Sequence, residues 1–545
     1  MVHRSHPLDL HDARAPGYCP VAGSYPDPQI PAQELALSAL GDLVRIASEH
    51  RAWWARFWNV SSVSLPSAPL LEKQWFGSLY ILASSHETDG QPLAVAPGIV
   101  WPKTTDRPAF RGAMTVNYNQ QALYYGVHAA GHSDLAGPFY NAMLQYIPRG
   151  KKDAASQFQV RGINMNCEVF HWGQSASGVG DQGQRSNAAL SAVIFANHWL
   201  WTRDISWLNT TGWPFLDQVA AFWEDYLTKY GLNHPGTPNG TYSSVNDCFN
   251  ELCSSDPSMV NVNPHITLSL LRFLFPVFID AATALKLDTP RVALWAHLHE
   301  HLAPLPLVTL PSGGVIFGGI QGSTNHPPAG ENPLNVYLGW PGFDAALGSD
   351  GGLRKVLVDT LEYMQSWDCG NCWPQYPAAR VRMQDKARDA NTTWHTVQQV
   401  LAATIAENLI VADGKGNYIT AMEGAAGIGI VNEMLLASHD PKGIILFPQV
   451  PLGHPAAFQD LRARGGYSIT ASLNARGEVS GVVVTNVGGE MRPGTLSMLS
   501  PWGRGQIAVL KIPTRVPREV LMGDGGYFSF TSVPGESFTV QPSAA

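Results

Sequence analysis

From about residue 34 to residue 440, apolar side chains return every three or four positions, in segments separated by Gly- and Pro-rich loops. That spacing puts them on one face of a helix. Ala36, Leu37, Leu40, Leu43, Val44 and Ala47 form the first stripe, followed by RAWWARFW and a polar stretch to about Pro69. Helices are predicted from Leu70 to Ser85, from Asn119 to Ala130 and from Ser186 to Trp201. Leu216, Val219, Ala220, Trp223, Leu227 and Tyr230 mark a fourth. The series continues at Thr267–Leu285, Val292–Leu302, Leu353–Trp367, Val397–Ile410 and Ala426–Ser438. About a dozen helices without a fixed repeat period predict an α/α toroid, an inner ring of helices inside an outer one, rather than a helical repeat array.

After about Gly443 the period changes. GYSITASL, GEVSGVVVTNV, GQIAVLKI and GYFSFTSV alternate or run apolar between Gly, Asn and Pro turn signals. This pattern predicts a C-terminal β-domain, a small β-sandwich. The expected division is an extended lead-in and linker helix over residues 1–65, a helical barrel over 66–440 and the β-domain over 441–545.

Composition narrows the function. Hydrophobic residues make up 45% of the 545 positions and charged residues 14%, which suits a large buried core. The formal net charge is −8 with no basic stripe, which argues against nucleic-acid binding. No apolar run is read as a membrane span. The N-terminal MVHRSHPLDLHDARAPGYCP has no apolar signal-peptide core. Asn59, Asn209, Asn239 and Asn391 each open an N-x-Ser/Thr sequon, which points to a secreted protein. Cys248 with Cys253, and Cys369 with Cys372, read equally as short disulfides or as buried thiols.

Several motifs carry no chemistry. Gly178, Gly180 and Gly183 form a G-x-G-x-x-G without a preceding strand. Cys369-Gly-Asn-Cys372 lacks a second ligand pair, and His297, His299 and His301 read as a solvated helix face. No metal site and no cofactor are expected. Polar groups in aromatic surroundings are more informative. Asn117 and Asn119 in TVNYNQQALYY sit two apart before a helix, where their amides either converge on a water or sugar hydroxyl or cap the helix. NDCFNELC places Asp247 and Glu251 in a loop between helices. AMEGAAGIG places Glu423 at a helix head, where free N–H groups keep a carboxylate ionised. Two carboxylates with divergent pKa values are the minimum set for glycoside hydrolysis, a surface charge and a helix-end stabiliser being the plainer alternative.

Taken in order, three segments resemble glycoside hydrolase family 95, the inverting α-L-fucosidases and α-L-galactosidases. They are LEKQWFGSLYILASS with APGIVWPKTTDRPAFRGAMTVNYNQQALYYGVHAAGHSDL, then HWLWTRDISWLNTTGWPFLDQVAAFWEDYL, then AMEGAAGIGIVNEMLLASHDPKGIILFPQVP with LRARGGYSI. The resemblance implies an (α/α)6 barrel. It implies Asn117 and Asn119 as the water-binding pair, Glu423 in place of the family's supporting Asp, and Glu251 as the general acid with Asp247 in reserve. Trp101 and Trp172 fall as pocket walls. Asn332 and Asn335 stand where the family has His. The family's N-terminal β-sandwich is not found ahead of the barrel. The expectation is an exo-acting, inverting hydrolase of a terminal L-fucose- or L-galactose-like residue on an oligosaccharide. A phosphorolytic or lyase-type enzyme on the same barrel and a non-catalytic carbohydrate-binding homologue are the competing readings.

Overall fold

A computed structural model describes residues 29–85, 114–170, 173–175, 183–249, 261–287, 289–322, 333–342, 351–367, 372–373, 375–383, 386–407, 409, 411, 423–489, 493–503 and 507–543. The chain forms two compact units, residues 1–60 and 61–545. In the first, helices α1 (Gln29–Gly41) and α2 (Leu43–Trp58) replace the single helix expected there. Asp42 makes the break. Its side chain accepts from the Arg45 backbone N–H (3.2 Å), as an N-cap does, and restarts the helix. RAWWARFW falls in α2, where Trp53 stacks on Phe57 and Trp54 on Trp58 at i, i+4 spacing. Leu37, Leu40, Leu43 and Val44 stay exposed, so the first stripe does not face a core within the described residues.

The second unit opens with strand β1 (Ser62–Ser64) and helix α3 (Pro69–Ser85). Strands β2 (Met114–Thr115) and β3 (Glu168–Val169) pair around α4 (Asn119–Ala122) and α5 (Gly137–Phe158). Then come α6 (Asn187–Thr202), α7 (Ile205–Trp207), α8 (Trp213–Tyr226), α9 (His265–Ala284) and α10 (Thr289–Glu300). A hairpin of β4 (Leu307–Thr309) and β5 (Val315–Phe317) leads to α11 (Gly351–Met364), α12 (Gln375–Met383), α13 (Lys386–Thr404) and α14 (Gly427–Leu435). The helix expected over Asn119–Ala130 stops at Ala122 and continues as turns to Gly131. Gly126 explains the stop: its chain lies against α14, and a Cβ there would sit 2.5 Å from the Gly429 backbone nitrogen.

The helices close on themselves. α4 packs on α6, α6 on α9, and α9 on the 3-10 turn Leu334–Val336. α12 packs on α14, and the turn Glu423–Ala426 that leads into α14 packs back on α4. Arg382 of α12 joins the remaining neighbours. Its Nη1 donates to the carbonyls of Gly339 and Gly342, both at 2.8 Å, and its Nη2 to Glu433 Oε1 of α14 at 2.6 Å. The guanidinium lies over Trp340, 4.4 Å from the ring centre. His439 Nδ1 lies 3.0 Å from Glu433 Oε2. Asn432 adds a second tie, accepting from Trp75 Nε1 of α3 and donating to the Gly126 carbonyl, both at 2.9 Å. α9 is long and apolar enough to cross a bilayer, which the reading of apolar runs did not anticipate, but it is mostly buried between α6, α8 and α10.

After β6 (Leu436–Ala437) and β7 (Ile445–Leu446) the chain is rich in strands. These are β8 (Ala456–Ala463), β9 (Tyr467–Leu473), β10 (Val479–Asn486), β11 (Gly494–Leu499), β12 (Ile507–Ile512), β13 (Leu521–Met522), β14 (Tyr527–Ser532) and β15 (Ser537–Pro542). One antiparallel sheet runs β1-β8-β9-β10-β15-β12 and a smaller one β11-β14-β13. Phe530 of the smaller sheet meets Phe538 of the larger at 5.1 Å, so the alternating apolar faces pack on each other. β1 joins this sheet through Val63 beside Phe458, binding the segment ahead of α3 to the C-terminal strands.

Burial alone would raise the Glu433 carboxyl, but Arg382 and then His439 outweigh it and hold it down at about 2. A depressed carboxylate stabilises the fold above its unfolded value near 4.5 and loses that contribution as pH falls toward 2. Glu433→Gln leaves Arg382 buried without its anion. It should cost roughly 3–5 kcal/mol, and urea unfolding of the variant should show a weaker pH dependence between 4.5 and 2 than the parent.

Candidate functional site

The N-terminal ends of α4, α6, α9, α12 and α14 are linked to one another through the loops that precede them. Asn117 Nδ2 donates to Gln184 Oε1 (3.2 Å), joining the segment before α4 to the segment before α6. Gln121 Nε2 reinforces the same join, donating to the Val116 carbonyl (2.6 Å) and Ser191 Oγ (2.9 Å). On the other side of Gln184, the Cys248 N–H donates to the Gly183 carbonyl and the Arg185 N–H to Asp247 Oδ1 (2.9 Å). Asp247 Oδ2 accepts from Ser244 Oγ (2.7 Å) and Thr267 Oγ1 of α9 (2.6 Å). The His265 N–H donates to the Gly319 carbonyl, and Asn335 Nδ2 to the Phe317 carbonyl (3.0 Å). Tyr118 OH donates to the Trp373 carbonyl before α12, and Gln74 Nε2 of α3 to the Gly424 carbonyl before α14. A helix N-terminus carries free N–H groups and a positive dipole end, which favours an anionic side chain beside it.

Each expected site residue has a definite place. Asn117 is buried in the turn before α4, and Asn119 is the half-buried first residue of that helix. The N-cap position belongs to Tyr118, without a side-chain cap, so the capping alternative for the two amides is not realised. The extended backbone assumed for them is also replaced by a turn. Glu423 opens the turn into α14, at the expected helix head, and its side chain lies outside the described residues. Glu251, Trp101, Trp172 and Asn332 lie outside the described residues as well. Asn335 is fully buried and holds the Leu334–Val336 turn to β5. Asp247 is 1% exposed with both oxygens accepting hydrogen bonds, so it anchors the loop rather than presenting a surface carboxylate. Burial pushes its carboxyl above the ordinary value, against the pull of the Thr267, Arg185 and Ser244 donors.

Two residues of this region carried no signal in the sequence. Gln184 follows Gly183 in a glycine motif set aside as a failed nucleotide loop, yet it is the partner of Asn117. His265, the first residue of α9, is fully buried, and neither ring nitrogen has a hydrogen-bond partner among the described residues. Burial, with a smaller contribution from Arg272, lowers it to about 3 and keeps it neutral. The Cys248 thiol is in a disulfide, as is Cys372, and their partners lie outside the described residues. No group of three or more metal-ligating side chains occurs among the described residues.

Comparison with known proteins fits this arrangement. Residues 63–315 match the family described as Glycosyl hydrolase family 95 catalytic domain. A curated relative, "Probable alpha-fucosidase A" of Aspergillus niger, is 27% identical over 188 residues, 33% of this chain and 23% of that protein, so the chain matches about a quarter of the relative's length. Among solved structures, "Putative kojibiose phosphorylase from human microbiome" superposes with a TM-score of 0.57 at 10% identity, covering 86% of this chain and 66% of that chain. "Glycosidase Wild Type" gives a TM-score of 0.42 at 12% identity, with 68% and 99% covered. At such identity the first of these likenesses speaks for the fold alone: a helical part with a strand-rich region after it. Residues 63–315, the stretch that holds Asn117, Asn119 and Asp247, are similar to the catalytic domain of glycoside hydrolase family 95.

Proposed function

We propose that the chain is an inverting, exo-acting glycoside hydrolase that removes a terminal L-fucose- or L-galactose-like residue from an oligosaccharide. The observation that carries this reading is the family 95 match over a segment whose Asn117 amide is held by Gln184 among linked helix N-termini. In this reading the closed ring of helices is an (α/α)6 toroid, and the linked N-termini form its mouth. Glu251 is the general acid that protonates the leaving oxygen. Glu423 is the base: the helix head keeps it ionised, and with Asn117 and Asn119 it orients the attacking water. Asn117 cannot swing freely, because Gln184 holds its Nδ2. Asp247 does not deliver the proton, since both its oxygens are engaged inside the protein. The disulfides at Cys248 and Cys372, and the exposure of Asn59, Asn209, Asn239 and Asn391, support a secreted protein.

The solved phosphorylase of similar fold favours a second reading, in which phosphate replaces water as the attacking group. Release of free sugar in phosphate-free buffer excludes it.

Two substitutions separate the roles of the loop carboxylates. Glu251→Gln should lower kcat by about 10²–10⁴-fold with little change in stability, since it removes general-acid assistance. Asp247→Ala should instead lower unfolding stability by about 3 kcal/mol, as it strands the Arg185 N–H and the Ser244 and Thr267 hydroxyls. Normal turnover in the Glu251→Gln chain would overturn the acid assignment. Proton NMR of the first product released should show the anomer opposite to the substrate's, and retention of configuration would contradict the inverting mechanism.

A further inference from the structure

One cleft described by the structure lies away from the linked helix N-termini. It has a volume of about 510 Å³ and lies where the chain passes from α14 into the strand-rich region. That is within the range of ligand-sized sites, roughly 300–1,000 Å³. Arg354 from α11, Asp440 and Lys442 from the segment between β6 and β7, Ser500 and Tyr527 supply its polar groups. Ile445, Leu446, Pro448, Val479 and Leu499 supply its apolar walls. α14 separates it from the Glu423 turn by about 13 Å of helix, at 1.5 Å per residue.

Asp440 is the informative group. It is only 6% exposed, and Oδ1 accepts from the Lys442 N–H (2.8 Å). Oδ2 is buried and accepts no hydrogen bond among the described residues. A buried carboxylate oxygen without a donor is costly, so it calls for a donor from a ligand or water in the cleft. Tyr527 lines the same cleft, and burial, then the Asp440 carboxylate, push its phenol up to about 12.

The mixture of charges selects the ligand class. An anion would meet the Asp440 carboxylate, and a cation would meet Arg354 and Lys442. A neutral polyol offers hydroxyl donors to Asp440, acceptors to Arg354, Lys442 and Tyr527, and C–H faces to the leucine and proline walls. We propose that this cleft is a second, non-catalytic site for a neutral saccharide, separate from the site of the proposed hydrolysis and independent of that reading.

The test is calorimetric titration of the full chain with maltotriose and cellotriose, and with inorganic phosphate and galacturonate as anionic probes. At least one neutral trisaccharide should bind, and Asn117→Ala, at the other site, should leave that binding unchanged. Asp440→Leu should weaken it by about tenfold or more, the loss expected for a hydrogen bond to a charged acceptor. The exposed Lys442→Ala serves as a variant whose folding is not in question and should weaken it by a few-fold. Binding lost in Asn117→Ala but kept in Asp440→Leu and Lys442→Ala would overturn the proposal. So would binding of phosphate or galacturonate alone, or of no probe. Because turnover is measured separately, failure here leaves the hydrolase reading standing, and an inactive chain that still binds through Asp440 leaves this one standing.

Discussion

The buried Arg382 guanidinium sets the geometry of the helical part. One planar cation, with 1% of its side chain exposed, donates to two carbonyls of the 339–342 segment and to Glu433 of α14, while its face covers Trp340. A charge buried this deeply is tolerable only when its donors are met, so the three elements must hold their mutual register. Through His439 the same carboxylate reaches the segment that leaves α14 for the strands. The close contact of Gly126 with Gly429, and the bridge made by Asn432, carry the register on to α3 and α4.

That register decides where polar groups gather. Once α14 and α12 are fixed, the turns ahead of them fall beside α4 and the turn ahead of it, as the Tyr118–Trp373 hydrogen bond and the packing of the Glu423–Ala426 turn on α4 record. The rest of the linkage is made by side-chain amides and one buried carboxylate. Each of these must be satisfied internally, so each links two loops: Asn117 with Gln184, and Asp247 with Arg185, Ser244 and Thr267. The loops around the candidate site are therefore held by these same interactions, which is why Asp247 matters to the fold.

Helices with one wet face were legible in the sequence. α3, α9 and α10 lie within a few residues of their expected bounds, because their apolar stripes have the helical period. α12 was not legible, because Pro377 and the polar residues Gln375, Arg380 and Arg382, all buried, interrupt any apolar stripe in its nine residues. α5 was hidden by Pro148 and Gly150, which read as breakers although the helix runs through them. β1 was read as lead-in because its sheet partner, β8, lies almost 400 positions later in the chain. At the candidate site, the Asn pair and the Glu423 turn were singled out from their motifs. Gln184 and His265 could not, because their significance comes from what folding places beside them.

The proposed inverting hydrolysis requires that Glu251 and Glu423 face each other across one sugar-binding site. A crystal structure of the chain with a terminal L-fucose-type monosaccharide bound would measure the distance between their carboxyl groups. A separation of roughly 6.5–9.5 Å, with Asn117 and Asn119 beside Glu423, is the result expected of an inverting hydrolase. A separation of about 5–5.5 Å would mean a retaining mechanism, and a Glu251 side chain directed into solvent away from the sugar would contradict the assignment altogether.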